Sequence, residues 1–367
     1  MGSGDRMEWL DRGWVLAKAE AALEAQPRFI TDAQAPMSEG GIHDYYSNGD
    51  YWWPNPDTPD GLPYVRRDGE SNPGSFNEHR EIMRSLRTNV AHLAAGYAVS
   101  GKEAYADKAV SLLNSFFLAE ETRMNPHLLY AQAIPGICSG RGIGIIDTLH
   151  LIEVPVAIEC LSGSSYMTPE IMAGLQGWFR DYLRWMLTHP YGIEERDTDN
   201  NHSVCWHVQA AVFARFVGEE EVLNFCRSQY KKVLLPDQMA ADGSFPRELQ
   251  RTKLYGYSIF VLDNMITLCH VLSTPEDCLW DYELEDGRGI RRGLDYLYPY
   301  LADKASWPYP PDIEHDQGWP AAVSGLLFAG VALAEPAYIE LWRSLDPDPV
   351  DPEVRRNMAI RQPLLWL

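Results

Sequence analysis

The stretch "RTNVAHLAAGYAVSGKEAYADKAVSLLNSFF", Arg87 to Phe117, decides the fold class. Its apolar residues recur at three- and four-residue spacing, which is the period of one face of an α-helix. Ser100 and Gly101 interrupt this pattern, and a glycine just after the last periodic residue commonly ends a helix. The stretch therefore predicts a helical hairpin, with one helix to about Val99, a turn at Ser100–Gly101 and a second helix to Phe117.

The same spacing recurs along most of the chain, with Gly, Pro or Asp at the segment borders. No β-rich half, low-complexity segment or long linker interrupts it, so the sequence predicts one domain over residues 1–367. The absence of a strict repeat disfavours a regular solenoid, and long non-helical segments favour an all-α toroid of paired helices whose loops build a cleft. The other predicted helices lie near Trp9–Ala25, Asp147–Leu161, Pro169–His189, His202–Val217, Glu219–Val233, Tyr257–Leu272, Gly289–Tyr300 and Trp319–Ala334.

Composition excludes several classes of function. The formal net charge of −21 argues against nucleic-acid binding, and it means that a polyanionic substrate requires a locally basic cleft. No apolar run is long enough to span a membrane, and no secretory signal peptide is visible. The initial "MGSG" resembles a cloning remnant, so we expect a cytoplasmic protein, or an exported one whose signal was removed.

The cysteines form no C-x-x-C pair and are expected to be free, mostly buried thiols; they are Cys138, Cys160, Cys205, Cys226, Cys269 and Cys278.

A long aromatic segment, "IHDYYSNGDYWWPNPDTPDGLPYVRRDGESNPGS", runs from Ile42 to Ser75. Loops of this length in compact domains are usually lids, binding loops or disordered, and disorder fits poorly with so many aromatic residues. We expect a mobile lid whose Tyr45, Tyr46, Trp52 and Trp53 bound or stack on sugar rings. The alternative is a loop packed permanently as a small satellite core.

A polar run, "DTDNNHSVCWHVQAAV", Asp197 to Val212, precedes an apolar helical pattern. Asn200 or Asp199 is suited to cap that helix, because short polar side chains accept hydrogen bonds from its first N–H groups. Helical phase places the next residue, Asn201, on the inward face, followed by His202. The plain alternative is a cap followed by a surface histidine; the functional one is a pair of donors aimed into a cleft.

A second polar run, "DGSFPRELQRTKLYGYSIFVLDNM", places Tyr257 in the first turn of a helix, on its apolar face. Arg251 precedes it by six residues, and a neighbouring cation lowers a tyrosine pKa from its usual value of about 10. The alternative is a core tyrosine, with Arg251 paired to Glu248.

A third run, "NPHLLYAQAIPGICSGRGIGIIDT", holds His127, Gln132 and Arg141 in a glycine-rich connector. Its glycines do not follow a strand pattern, which excludes a dinucleotide-binding fingerprint. The connector is either a tight inter-helix loop or a cleft wall that presents a cation.

Together the three runs suit β-elimination on a uronic-acid polymer. Asn201 and His202 would hold the uronate carboxylate and stabilise the enolate-like charge that develops when the C5 proton leaves. Tyr257 would take that proton and return one to the leaving O4. This scheme requires no metal or other cofactor, and its partner is an anionic polysaccharide.

The runs also resemble motifs of the alginate-lyase superfamily of polysaccharide lyases. "NNHS" (Asn200–Ser203) matches that family's catalytic Asn-His pair, and "ELQRTKLYGYS" (Glu248–Ser258) is similar to its E-L-x-R-T…Y-S motif. "GDYWWPNP" with "GLPYVRRDG" resembles its aromatic lid, and the third run resembles another common stretch. The resemblance implies an incomplete (α/α) toroid, with Asn201 and His202 as carboxylate neutralisers and Arg251 with Tyr257 as a cation–tyrosine pair.

One departure from the family pattern concerns the stretch between the arginine and the tyrosine. It is shorter and less basic here than in the alginate-specific branch, which makes Tyr255 a competing candidate. The short form looks closer to the branch that includes glucuronan- and mannuronan-cleaving enzymes. We expect a cationic patch for binding the polymer, formed by Arg66, Arg67, Arg141 and Arg251.

Stereochemistry favours mannuronate or glucuronate substrates, because their C5 proton and O4 lie on one face of the ring and one tyrosine can serve both. Guluronate places them on opposite faces and requires a second group, for which His202 is the candidate. Two alternatives stay open at the level of the sequence. A glycoside hydrolase would use two carboxylates, drawn from Asp197, Asp199, Glu248 and Asp263, and a silent uronan-binding protein would use none.

Overall fold

The computed structural model describes residues 11–367, and it is 58% helical with 4% strand, which confirms the all-α class. Trp9 and Leu10 of the predicted first helix lie outside the described residues. The helices are α1 (Arg12–Glu24), α2 (Glu78–Ser100), α3 (Glu103–Phe117), α4 (Glu153–Leu161), α5 (Pro169–Thr188), α6 (Pro190–Arg196), α7 (Asn201–Val217), α8 (Glu220–Gln229), α9 (Leu235–Gln238), α10 (Pro246–Leu249), α11 (Leu254–Leu272), α12 (Ile290–Ala302), α13 (Ser324–Ala332), α14 (Pro336–Ser344) and α15 (Pro352–Asn357).

The chain forms two compact units. Unit 1 comprises residues 11–67, 71–195 and 360–367, and unit 2 comprises residues 68–70 and 196–359. The expectation of a single domain stays a prediction.

The helical hairpin is confirmed in unit 1. The helix α2 ends at Ser100, and Gly101 adopts a left-handed φ of 67° while its N–H donates to the Tyr97 carbonyl at 2.7 Å. Glycine takes this conformation without the steric penalty of a Cβ atom, which is why the helix ends there. α2 packs against α1, α3 and α4, so it is the central helix of this unit.

Four short strands stand in unit 1. β1 (Tyr46–Asn48) pairs in parallel with β4 (Tyr130–Ala133), and β2 (Trp52–Trp53) pairs antiparallel with β3 (Val65–Arg66). Three of the four lie in the aromatic segment 42–75, so that segment is hydrogen-bonded structure rather than an open loop.

The two central helices of unit 2, α7 and α11, pack against each other. Of residues 254–272, all but Tyr257 and His270 are buried; of residues 201–217, all but His202, Arg215 and Val217 are buried. A helix that is buried almost all round lies in a core. Each of these core helices therefore leaves one polar candidate side chain less than fully buried near its N-terminus, His202 or Tyr257.

Prolines lie at two of the differences from the predicted helices. Where the sequence predicted one helix over Asp147–Leu161, the structure has a 3₁₀-helix over Gly142–Ile152 followed directly by α4. Pro155 therefore falls in the first turn of α4, where its missing N–H costs nothing. Within Trp319–Ala334 only α13 is α-helical, and Pro320 favours the extended backbone of Trp319, which lies outside that helix. The predicted segment Glu219–Val233 contains α8 and most of a π-helical turn over Tyr230–Leu234.

Two smaller expectations can be checked on residues 11–367. All six cysteines carry free thiols, three of them buried. Within this range no helix combines the length and the apolar character that crossing a membrane requires.

Candidate active site

Two asparagines and a glutamate organise the N-terminus of α7. Asn200 is the cap, and its Oδ1 accepts the His202 N–H at 3.0 Å, as predicted. Asn201 is buried, and the Glu248 carboxylate accepts both its backbone N–H at 2.9 Å and its side-chain N–H at 2.8 Å. The sequence therefore uses one asparagine to cap the helix and holds the other in a fixed orientation.

Arg251 and Tyr257 lie together at the start of α11. The Arg251 Nη2 donates to the Tyr257 hydroxyl at 3.2 Å, and its guanidinium carbon lies 4.3 Å from the centre of the tyrosine ring. The alternative pairing of Arg251 with Glu248 is wrong, because its Nε and Nη2 bind the Asp68 carboxylate at 3.2 and 3.0 Å. The predicted cation–tyrosine pair is thus present, and a carboxylate that the sequence did not indicate holds the cation.

Tyr255, the competing candidate, lies in the core of unit 2. It is fully buried, and its hydroxyl donates to the Tyr300 carbonyl at 2.9 Å. Burial raises the pKa of Tyr255, which disfavours its phenolate form. In this structure Tyr257, which is half-buried, is the more accessible of the two tyrosines.

Arginines flank both tryptophans of β2 in unit 1. The Arg141 guanidinium lies 5.8 Å from the ring centre of Trp52, and that of Arg67 lies 4.8 Å from the ring centre of Trp53. Both rings are half-buried, whereas Arg67 and its neighbour Arg66 are exposed. Burial lowers the pKa of Arg141, and repulsion from Arg66 adds to the effect. Three arginines of the predicted cationic patch therefore lie beside β2. We name these arginines and the two tryptophans the Trp–Arg cluster (Trp52, Trp53, Arg66, Arg67, Arg141).

Gln132 has a strained backbone that its neighbours hold in place. Its φ is 49°, which is uncommon for a residue other than glycine, asparagine or aspartate. The Ser47 hydroxyl accepts its N–H at 2.8 Å, and Arg141 donates to its carbonyl and side-chain oxygens, both at 3.0 Å. Its side-chain amide donates to Asp147 at 3.2 Å. Strained residues held in this way cluster at functional sites, which supports the predicted binding role of Gln132.

The structure corrects the expectation for two lid aromatics. Tyr45 and Tyr46 are buried in unit 1, so neither offers a ring face for stacking on a sugar. The Tyr45 hydroxyl donates to Asp147 at 3.1 Å, and Tyr46 packs with Phe76. The satellite-core alternative therefore describes these two tyrosines, because their hydroxyls find partners inside the protein.

His127 is partly buried at one end of the third run. Its Nε2 lies 3.2 Å from Asp44, and its ring lies 6.4 Å from that of Trp185. Burial lowers the pKa of His127, which favours a neutral imidazole. These contacts leave its predicted role in substrate binding a prediction.

Of the four acidic residues that a hydrolase would draw on, three bind other side chains of unit 2 and the fourth is buried. Asp197 pairs with Arg196 at 2.6 Å and Asp199 with Arg247 at 3.0 Å. Glu248 holds Asn201, and Asp263 is buried in α11. Over residues 11–367, no group of three or more His, Cys, Asp or Glu side chains is arranged to hold a metal ion.

Comparisons with known proteins agree with this arrangement of helices. The family model described as "Alginate lyase" matches residues 30–307. An alginate lyase from Bacteroides ovatus has a similar structure, with 33% sequence identity, a TM-score of 0.83, and coverage of 97% of this chain and 92% of that one. Alginate lyase A1-III from Sphingomonas species A1 shares the fold at 14% identity, with a TM-score of 0.58 and 89% of each chain covered. No curated protein sequence matches the chain.

The helical fold is thus that of the (α/α)-toroid polysaccharide lyases, as the sequence predicted. The chain belongs to the alginate lyase family, and it is a polysaccharide lyase.

Proposed function

We propose that this lyase cleaves a mannuronate-rich alginate or a glucuronan by β-elimination, with Tyr257 as both base and acid. The observation that carries the proposal is the contact between the Arg251 Nη2 and the Tyr257 hydroxyl, on the one side chain in the first turn of α11 that is not buried. A cation at this distance favours the phenolate, which is the form that accepts a proton.

Stabilisation of the developing negative charge is assigned to the start of α7. Asn201 and His202 stand in its first turn, where the partial positive charge of the helix end favours anions. Glu248 fixes the orientation of the Asn201 amide before substrate arrives. Donors that are oriented in advance stabilise the transition state without reorganising during the reaction.

The choice of substrate rests on the number of acid–base groups. A single tyrosine can serve a uronate whose C5 proton and O4 lie on one face, which holds for β-linked mannuronate and glucuronate. Guluronate blocks require a second group, and we expect them to react more slowly.

An alginate lyase A1-III variant in complex with a tetrasaccharide shares the fold at 15% identity, with a TM-score of 0.55, and 87% of this chain and 84% of that chain covered. We assign to the Trp–Arg cluster the binding of further sugar units, because aromatic faces pack on sugar rings and guanidinium groups bind carboxylates.

The test is the ultraviolet absorbance of the unsaturated uronate, followed on mannuronate-rich blocks, guluronate blocks and glucuronan. We expect Tyr257→Phe to lower kcat by about 10²–10⁴-fold, the range typical of a general acid–base group. Tyr166→Phe is the matched control, because Tyr166 is an exposed tyrosine of unit 1 at 43% exposure. A Tyr257→Phe enzyme that folds and turns over normally would sink the tyrosine mechanism, and faster cleavage of guluronate blocks would refute the substrate assignment.

A further inference from the structure

Asp68 binds Arg251 with both carboxylate oxygens. Its Oδ1 accepts from Nη2 at 3.0 Å and its Oδ2 from Nε at 3.2 Å. The two side chains are 28% and 21% exposed, so this is a partly buried pair with the two-point geometry that fixes a guanidinium plane.

The same nitrogen of Arg251 serves both neighbours. Nη2 donates to Asp68 and to the Tyr257 hydroxyl, and the guanidinium also lies over the tyrosine ring. Fixing the guanidinium plane therefore fixes the position of its charge relative to the tyrosine oxygen. The Nε–Nη2 edge, which in other proteins clamps a carboxylate, is occupied here by a carboxylate of the protein itself.

The backbone around Asp68 is shaped to bring it to this position. Gly69 is buried with a φ of 78°, and a Cβ atom there would lie 2.2 Å from the Thr252 Oγ1. Thr252, the residue after Arg251, donates from that oxygen toward the Asp68 carbonyl at 3.2 Å and its Oδ2 at 3.3 Å. Only glycine permits both the backbone conformation and the close approach.

We propose that Asp68 is a positioning residue for the lyase reaction, which fixes Arg251 as the partner of Tyr257 instead of leaving it to clamp a substrate carboxylate. This inference rests on the proposed role of Tyr257. It assigns neutralisation of the substrate carboxylate to Asn201 and His202 without a contribution from the Nε–Nη2 edge of Arg251.

Other charged groups near the start of α11 have partners of their own. The Asp312 carboxylate accepts the N–H groups of Tyr255 and Gly256, at 2.8 and 2.9 Å. The Lys253 ammonium binds Glu353 at 2.8 Å and lies 3.4 Å from Glu314. On the neighbouring elements, Glu248 binds Asn201, and His202 stands in the first turn of α7. A change at Asp68 therefore acts on Tyr257 in two ways, through the orientation of Arg251 and through the loss of the Asp68 charge.

The experiment compares Asp68→Asn, Asp68→Ala and Tyr257→Phe in the full chain, by the pH profile of kcat/KM on mannuronate-rich alginate. Asp68→Asn keeps an acceptor for Arg251 but removes the opposing charge, which favours the phenolate form of Tyr257, so the acid limb should move down by about one pH unit. Asp68→Ala also removes the orientation of Arg251 and should lower kcat by about 10–100-fold. Asp57→Asn, at an exposed position of the same segment, is the matched control for loss of one negative charge and should leave the profile in place.

Circular dichroism of each variant separates positioning from folding. A folded Asp68→Ala enzyme with normal kcat, or a folded Asp68→Asn enzyme with an unmoved pH profile, would overturn the inference even if its melting temperature fell. If Tyr257→Phe is inactive while both Asp68 variants match the wild type, this inference fails and the proposed function stands. If Tyr257→Phe is fully active, both fail.

Discussion

The buried carboxyl group of Asp263 gives a prediction whose size can be worked out from the structure. Asp263 lies further along α11 than Tyr257, is 5% exposed, and accepts the Gly325 N–H at 2.7 Å. The cavity beside it is lined mainly by apolar residues such as Ile259 and Leu294. Burial raises the pKa of Asp263 from 3.8 to about 7, because the ionised form loses its hydration.

The sign of the stability effect follows from proton linkage. Between pH 4 and 7 the folded chain holds the Asp263 proton while the unfolded chain releases it, so this group's contribution to stability falls as pH rises through that window and is constant above it. A difference of about three pKa units, at ~1.4 kcal/mol per unit, sets an upper bound of about 4 kcal/mol on the cost above pH 7. Asp263→Asn copies the shape of the neutral acid and keeps an oxygen for Gly325. We therefore expect this variant to match the wild type near pH 4 and to exceed its stability at pH 8.

His207 explains why the wild-type curve alone is a poor test. This histidine is buried in α7, and burial lowers its pKa to about 4. Its contribution to stability therefore rises between pH 4 and 6.5, which offsets the fall caused by Asp263. The difference between variant and wild type isolates the carboxyl group, because the histidine contributes equally to both.

The assay is urea unfolding followed by circular dichroism at pH 4.5, 6 and 8. Asp107→Asn is the matched control, since Asp107 is exposed on α3 and its replacement should change stability little at any pH. Lyase activity should be unchanged in both variants. A gain for Asp263→Asn that is equal at all three pH values, or a loss at pH 8, would refute the argument from burial.

Two further predictions concern aromatic residues. Tyr255→Phe should keep normal kcat and lose about 1 kcal/mol of stability, because it removes only the hydrogen bond to the Tyr300 carbonyl. Loss of turnover in a folded variant would instead make Tyr255 the acid–base candidate. Trp52→Ala and Trp53→Ala should each raise KM several-fold with a smaller effect on kcat, because each removes a ring of the Trp–Arg cluster, to which we assign sugar binding, beside an arginine. Initial rates on mannuronate-rich alginate measure this, and early melting with normal kinetics would mark the strand as structural.

Local chemistry explains which parts of the structure the sequence predicts well. The turn at Gly101 and the cap at Asn200 depend on residues within four positions along the chain, so their signals are visible in the sequence. The pairing of Arg251 with Tyr257 is nearly as local, because it spans the entry into one helix.

Tyr45 and Tyr46 show where such reasoning fails. Their position in a long aromatic segment is equally consistent with a lid and with a packed loop, and sequence spacing does not separate the two. What decides is Asp147, about a hundred positions away, whose carboxylate accepts from the Tyr45 and Ser47 hydroxyls and pairs with Arg80 at 3.0 Å. Burying a tyrosine hydroxyl requires a partner of this kind, and no local pattern announces it.

The acidic excess of the chain acquires a meaning that the net charge alone does not give. A charge of −21 counts against binding a polyanion if every carboxylate is taken to repel it. Near the candidate residues, however, acidic groups hold the donors in place. Glu248 orients Asn201, Asp68 orients Arg251, and Asp147 supports the strained Gln132 beside Arg141. A carboxylate that is paired at 3 Å with a cation contributes little field at a distance but fixes where that cation points. For a lyase that must meet developing charge with donors already in position, such pairs contribute more through geometry than they cost in net charge.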